Sequence, residues 1–189
     1  EHYLAQLKVT PNSKDAYCRA ISSFFTWCMK GKRHWTINNP CYAVEVEGVM
    51  GDDDREPVVL PVDECEALLR GAEQFENGRL VPYVALCLFG GLRPFEAARL
   101  SWDQVNLVDG EIRLKGQQTK TGKGRLVEIC NTLKAWLRRY QGVDEIYRPA
   151  FDLELRQLRA SIGYGPKTEK NSELKPWVPD VLRHTAISH

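Results

Sequence analysis

The residue pattern predicts a mainly helical α+β protein with one small three-stranded antiparallel sheet, preceded by part of a smaller helical body. Three observations lead there. Apolar residues recur at three- and four-residue intervals through most of the chain, the mark of helices with one buried face. A single stretch, 105–129, alternates instead and contains the hairpin signal Asp109-Gly110. Residues 48–60 (GVMGDDDREPVVL) combine glycines, a run of acids and a proline without any period, which reads as a linker. The expected organisation is therefore a helical body over 1–47, a linker over 48–60, and a second body over 61–189.

Each element has its local reason. Asn12 and Ser13 are placed to cap a helix over 16–30, in which Tyr17, Ile21, Phe24, Phe25 and Cys28 share a stripe read as core, with Gly31 as its stop. Beyond the linker, 62–72 and 81–89 read as helices, the second apolar nearly all round and therefore buried. Gly90 and Gly91 break it, and Pro94 opens a short helix over 94–100, where its missing amide proton costs nothing. Strands follow over 105–108, around Ile112 and Leu114, and over 124–129, the last two bridged by a mobile Gly- and Lys-rich loop, 116–124. Asn131 or Thr132 caps a helix carrying Leu133, Trp136, Leu137 and Tyr140, and a further helix spans 151–162. Gly163 and Gly165 end it, 166–175 reads as loop, and a last helix starts near Pro179 or Asp180. His189 falls inside that helix with no stop signal, so more polypeptide is expected after it.

Composition narrows the function classes. The chain has 189 residues, 43% of them hydrophobic, enough for one proper core and a smaller appendage. No apolar run reaches the roughly 18 residues a membrane span needs, and no export signal opens the chain. The six cysteines, Cys18, Cys28, Cys41, Cys65, Cys87 and Cys130, show neither CxxC nor metal-ligand spacing and read as buried, reduced thiols, which implies the cytoplasm. No metal site and no cofactor are expected, and the glycines of 116–124 lack the spacing of a nucleotide-binding loop.

Charge is informative only in its distribution. With 26 basic and 25 acidic residues the net charge is +1, yet 113–125 (RLKGQQTKTGKGR) holds Arg113, Lys115, Lys120, Lys123 and Arg125 without an acid. That stretch is the expected contact with a polyanion, double-stranded DNA in this reading. Arg93 in GGLRPFE and Arg183 in VLRHT lie in helical segments able to join it on one phosphate. Arginine suits that task because its planar fork offers two donors to two phosphate oxygens and stays charged at any working pH. Taken singly, each residue has a plainer reading. Arg93 could cap helix carbonyls, Glu96 could be a surface residue or a partner of Arg99, and Lys123 competes with Lys120 for any phosphate. Arg183 could pair with Asp180 at the surface, and His184 could be structural.

Three ordered segments, GGLRPFEAARLSW, QTKTGKGRLVEI and VLRHTAISH, resemble the signatures of the tyrosine recombinase, or phage integrase, family. NSKDAYCRAISSFFTWCMKG with NNPC resembles the second half of that family's helical core-binding domain, and 61–189 most of its catalytic domain. The resemblance implies site-specific DNA recombination through a 3′-phosphotyrosyl intermediate, without metal or nucleotide, by subunits that self-associate on DNA. It implies that Arg93 and Arg183 are the two catalytic arginines, that Lys120 is the general acid on the 5′ oxygen, and that Glu96 and His184 support them. It also exposes two departures. Asp180 stands where the family usually has a histidine, and is read here first as a helix opener or an orienter of Arg183, with reduced activity as the remaining alternative. No nucleophilic tyrosine is expected within the chain, because Tyr140, Tyr147 and Tyr164 all precede Arg183. The alternative reading is a catalytically inactive DNA-binding module derived from an integrase.

Overall fold

The computed structural model describes residues 2–49, 57–119, 122–142, 144–166 and 173–188. The chain divides into two compact units, Glu1–Glu56 and Pro57–His189.

The first unit contains α1 (His2–Gln6), α2 (Pro11–Met29) and a 3-10 turn, Pro40–Ala43. The cap of α2 lies a little earlier than the sequence suggests. Thr10 Oγ1 accepts from the Ser13 amide at 3.3 Å, and Pro11 occupies the first turn, where no amide proton is needed. Asn39 staples the turn to α2. Its Nδ2 donates to Ser22 O (3.0 Å), Ser22 Oγ (2.9 Å) and Thr26 Oγ1 (3.2 Å), while its Oδ1 accepts from the Cys41 amide at 3.0 Å. The expected buried stripe is corrected here. Cys18 and Cys28 are buried, but Tyr17, Ile21 and Phe24 are exposed, Phe24 by 57%. Helical period tells which residues share a face; it does not provide a surface to cover that face.

The second unit is built around α4 (Val81–Phe89), whose residues from Val81 to Leu88 are all buried. Against it pack α3 (Val62–Glu73), α5 (Pro94–Ala97), α6 (Asn131–Tyr140) and α8 (Val181–Ser188), and α7 (Phe151–Ser161) packs on α3. Leu68, Leu86, Leu92, Leu133, Leu137, Phe151 and Leu158 fill the core. The amide of Leu60 donates to Thr185 Oγ1 at 3.0 Å, and that hydroxyl donates to Val181 O at 2.8 Å, tying the start of this unit to α8.

The sheet is antiparallel with order β1 (Val105–Asn106), β2 (Glu111–Leu114), β3 (Arg125–Glu128). β1 is shorter than the sequence suggests because Asn106 Oδ1 accepts from the amides of Val108 and Asp109, both at 3.0 Å, and turns the chain. The predicted helix over 94–100 likewise shortens to α5. Ile112 pairs with Val127 and Leu114 with Arg125, so Ile112 and Leu114 face the core and Arg113 faces away from it. All six cysteines are free thiols. Cys130, expected to be buried, is exposed and caps α6, its Sγ accepting from the Leu133 amide at 3.5 Å.

Candidate phosphate-binding site

The double glycine that ends α4 builds one wall of the site. Gly91 adopts φ +58, a left-handed conformation that costs a residue with a side chain but not glycine, and the chain reverses there into α5. Arg93 is the residue that opens α5, Pro94 is its first helical residue, and Glu96 reaches back so that its Oε2 accepts from the Arg93 amide at 3.0 Å. Neither plain reading of Glu96 applies. It is 0% exposed, its Oε1 accepts from Arg93 Nη1 at 3.3 Å, and its Oε2 also accepts from Arg125 Nη2 at 2.8 Å. Arg99 instead lies over the Phe95 ring, 3.8 Å from its centroid. Burial pushes the Glu96 carboxyl up, but the bonds from the Arg93 amide and the Arg125 guanidinium outweigh it and hold the group below its ordinary value. The carboxylate is therefore ionised and fixes two cations.

Arg183 joins them from α8. Its Nη1 donates to the carbonyl of Gly91, the residue that turns the chain toward Arg93. Burial, and after it the positive charges of Arg93 and Arg125, hold its guanidinium below the ordinary arginine value, opposed in part by Glu96 and Asp180. Two guanidinium groups thus pair with one buried carboxylate, and a third, held to Gly91, lies within their electrostatic reach. The side chains of Arg93 and Arg125 are each 37% exposed, so they are anchored at one end and open to solvent for an incoming anion. Like charges held this close favour a phosphate, whose oxygens accept from several forks at once.

Asp180 immediately precedes α8 with φ +63, and its backbone carbonyl accepts from the His184 amide at 2.9 Å. Its carboxylate makes neither a capping bond nor an ion pair with Arg183 among the described residues; it acts on Arg183 through its field alone. His184 Nδ1 is buried without a hydrogen-bond partner among the described residues.

The hairpin that leads toward position 120 is braced at its base. Gln104 Nε2 donates to Arg113 O (2.7 Å) and to Gln118 Oε1 (2.8 Å), and Gln118 Oε1 also accepts from the Lys115 amide at 2.8 Å. The 3-10 turn Gly116–Gln118 follows, and Thr119 Oγ1 donates to Lys123 O at 2.8 Å across the loop. A Cβ on Gly116 would sit 2.4 Å from Gly122 O, so only glycine permits this closure. Lys120 itself lies outside the described residues. Arg113, Lys115 and Lys123 are exposed, Arg113 beside Glu111 at 3.1 Å. Arg125, grouped by sequence with these surface bases, turns inward to Glu96. Its signal was in the alternation, since Arg125 is in phase with Val127 and Ile129.

The tyrosines of this unit are engaged elsewhere. Tyr140 donates to Glu73 Oε1 (2.8 Å), Tyr147 to Asp152 Oδ1 (2.7 Å) and Tyr164 to Glu64 Oε2 (2.6 Å). Burial first, and then these carboxylates, push Tyr147 and Tyr164 up to about 12. Tyr83 is buried against Tyr147, with ring centroids 5.3 Å apart. Among the described residues no cluster of His, Cys, Asp and Glu could hold a metal ion, and no helix is long and apolar enough to cross a membrane.

Comparison with solved structures gives the same architecture. The catalytic domain of bacteriophage HP1 integrase is 25% identical, with TM-score 0.50, over 71% of this chain and 71% of that one. XerA recombinase matches over 98% of this chain and 70% of its own length, with 18% identity and TM-score 0.50. The Tn1549 transposon integrase, in complex with circular intermediate DNA, matches with TM-score 0.61 and 13% identity over 95% of this chain and 66% of that one. The last two likenesses are of fold alone. The comparison with curated proteins finds no match. The phage integrase family model matches residues 59–189, more than half of the chain, and this protein belongs to that family.

Proposed function

We propose that this chain binds duplex DNA and holds a scissile phosphate for a site-specific recombinase of the tyrosine type. Arg93 and Arg183 grip the non-bridging oxygens, Glu96 keeps Arg93 in place, and Lys120 protonates the departing 5′ oxygen. A tyrosine oxygen attacks phosphorus, the bond to the 5′ oxygen breaks, and a 3′-phosphotyrosyl ester remains for religation by a 5′ hydroxyl. The observation that carries this reading is the pairing of Arg93 and Arg125 with the fully buried Glu96, with Arg183 anchored on Gly91 within reach of their charges. Arg113, Lys115 and Lys123 extend the cationic surface toward neighbouring phosphates.

The engagement of Tyr140, Tyr147 and Tyr164 with carboxylates supports a nucleophile supplied from outside these 189 residues. A second reading, a DNA-binding module without cleavage, is favoured by Asp180, an anion in a position where the family usually has a donor. Self-association on DNA belongs to the first reading. The test has two stages. The 189-residue chain should bind duplex DNA with an affinity that falls as salt rises, and a salt-independent affinity would remove the phosphate grip. A tyrosine-bearing form that contains these 189 residues should then yield an SDS-resistant protein–DNA complex; binding without that complex selects the second reading.

A further inference from the structure

Along α7 and the described residues 164–166 and 176–177 runs an open cavity of about 510 Å³. Arg156 and Arg159, one helical turn apart on α7, line it with Tyr164, Pro166, Pro176 and Trp177. The Arg159 guanidinium carbon lies 4.7 Å from the centroid of the Trp177 ring, and Trp177 stands edge-on to Tyr164 at 5.5 Å. Tyr164 is itself fixed by Glu64, which Lys175 also holds at 2.8 Å, so the aromatic wall is built rather than loose. Neither Arg156 nor Arg159 pairs with a carboxylate among the described residues. Burial is the largest influence on Arg159 and holds its guanidinium below the ordinary arginine value, only partly offset by Tyr83, Cys87 and Asp152. A partly desolvated cation with nothing but a ring face beneath it is costly until an anion arrives.

We propose that this cavity seats a backbone phosphate of DNA, a different one from that assigned to Arg93 and Arg183. The inference rests on the DNA-binding reading above and adds to it a second anchoring point. The chemistry of the walls selects the occupant. A phosphodiester alternates an anion with apolar sugar, and the cavity sets two guanidinium groups beside two prolines and an indole.

The experiment is the salt dependence of binding of a fluorescein-labelled duplex by the 189-residue chain, by Arg159→Gln and by Arg156→Gln. Arg156 is exposed, so its variant keeps the fold even if Arg159→Gln does not, and thermal melts identify any unfolded variant. The expected result is weaker binding by each folded variant, with the slope of log K against log salt reduced by about 1 per lost contact. Slopes and affinities equal to those of the unsubstituted chain would overturn the phosphate seat while leaving DNA binding intact. Failure of the unsubstituted chain to bind duplex would overturn the functional reading and this seat with it. A polyglutamate probe that binds the unsubstituted chain but not the variants, with duplex binding unchanged, would assign the cavity to an acidic peptide and also overturn the proposal.

Discussion

Arg125 Nη2 lies 2.8 Å from Glu96 Oε2, the same oxygen that accepts from the Arg93 amide at 3.0 Å. One buried carboxylate oxygen therefore joins β3 to the start of α5. Glu96→Gln keeps the shape but removes the charge, leaving the Arg93 and Arg125 guanidinium groups without their counterion. The expected cost is about 1–3 kcal/mol of stability, read from the urea midpoint at constant m value. A midpoint unchanged within error would show that solvent alone balances the two cations.

The acid limb of stability follows from the same carboxylate. Glu96 is held below its ordinary value, and so is Glu64, through the hydrogen bonds of Lys175 and then Tyr164. A depressed carboxyl contributes its full stability above its unfolded value, about 4.3, and loses it as pH falls through the folded one. Urea midpoints should therefore hold from pH 7 to about 5 and drop below about 4.3. Glu96→Gln should flatten that drop, since amide side chains do not titrate. An equally steep drop in the variant would place the acid sensitivity elsewhere.

What the sequence reveals and conceals follows physical lines. The bounds of α4 coincide with the predicted 81–89 because apolarity all round and a double glycine leave no choice. α1 escapes prediction because five residues carry too little period. The stripe of Tyr17, Ile21 and Phe24 is read correctly as one face and wrongly as core, since what covers a face is a tertiary fact. The gathering of Arg93, Arg125 and Arg183 is legible in part: two are singled out from their helical segments, while Arg125 is hidden among surface bases. Its phase with Val127 and Ile129 distinguishes it, but charge draws attention first. The bracing of the hairpin by Gln104 and Gln118 has no sequence signature at all, because two amides fourteen residues apart carry no period.

That bracing makes the hairpin separable from the rest of the site. Gly116→Ala would drive a Cβ to 2.4 Å from Gly122 O, and the loop must open to relieve it. The core lies elsewhere, so the thermal midpoint should move little while cleavage by the tyrosine-bearing form falls. If the loop acts by presenting Lys120, the lost rate should return on a substrate with a 5′-bridging sulfur, whose thiolate departs without a proton. Lys120→Ala should be rescued in the same way. A Gly116→Ala defect that persists on the sulfur substrate would mean that the loop serves binding rather than proton transfer.

Asp180 offers the sharpest separation between cleavage and mere binding. It holds φ +63, a conformation that Asp, Asn and His tolerate better than most residues with a side chain. Asp180→His therefore keeps the backbone while replacing an anion beside Arg183 with a donor. The negative field that opposes burial at Arg183 disappears, and an imidazole N–H gains access to a phosphate oxygen. Duplex affinity should rise, and cleavage by the tyrosine-bearing form should rise with it if the natural aspartate limits transition-state stabilisation. A variant that binds more tightly but cleaves more slowly would assign Asp180 a positive role as proton acceptor, with the anion serving the tyrosine hydroxyl rather than the phosphate. Measuring binding and single-turnover cleavage on the same duplex distinguishes these outcomes, because a field effect on phosphate moves both together and loss of a base moves only the second.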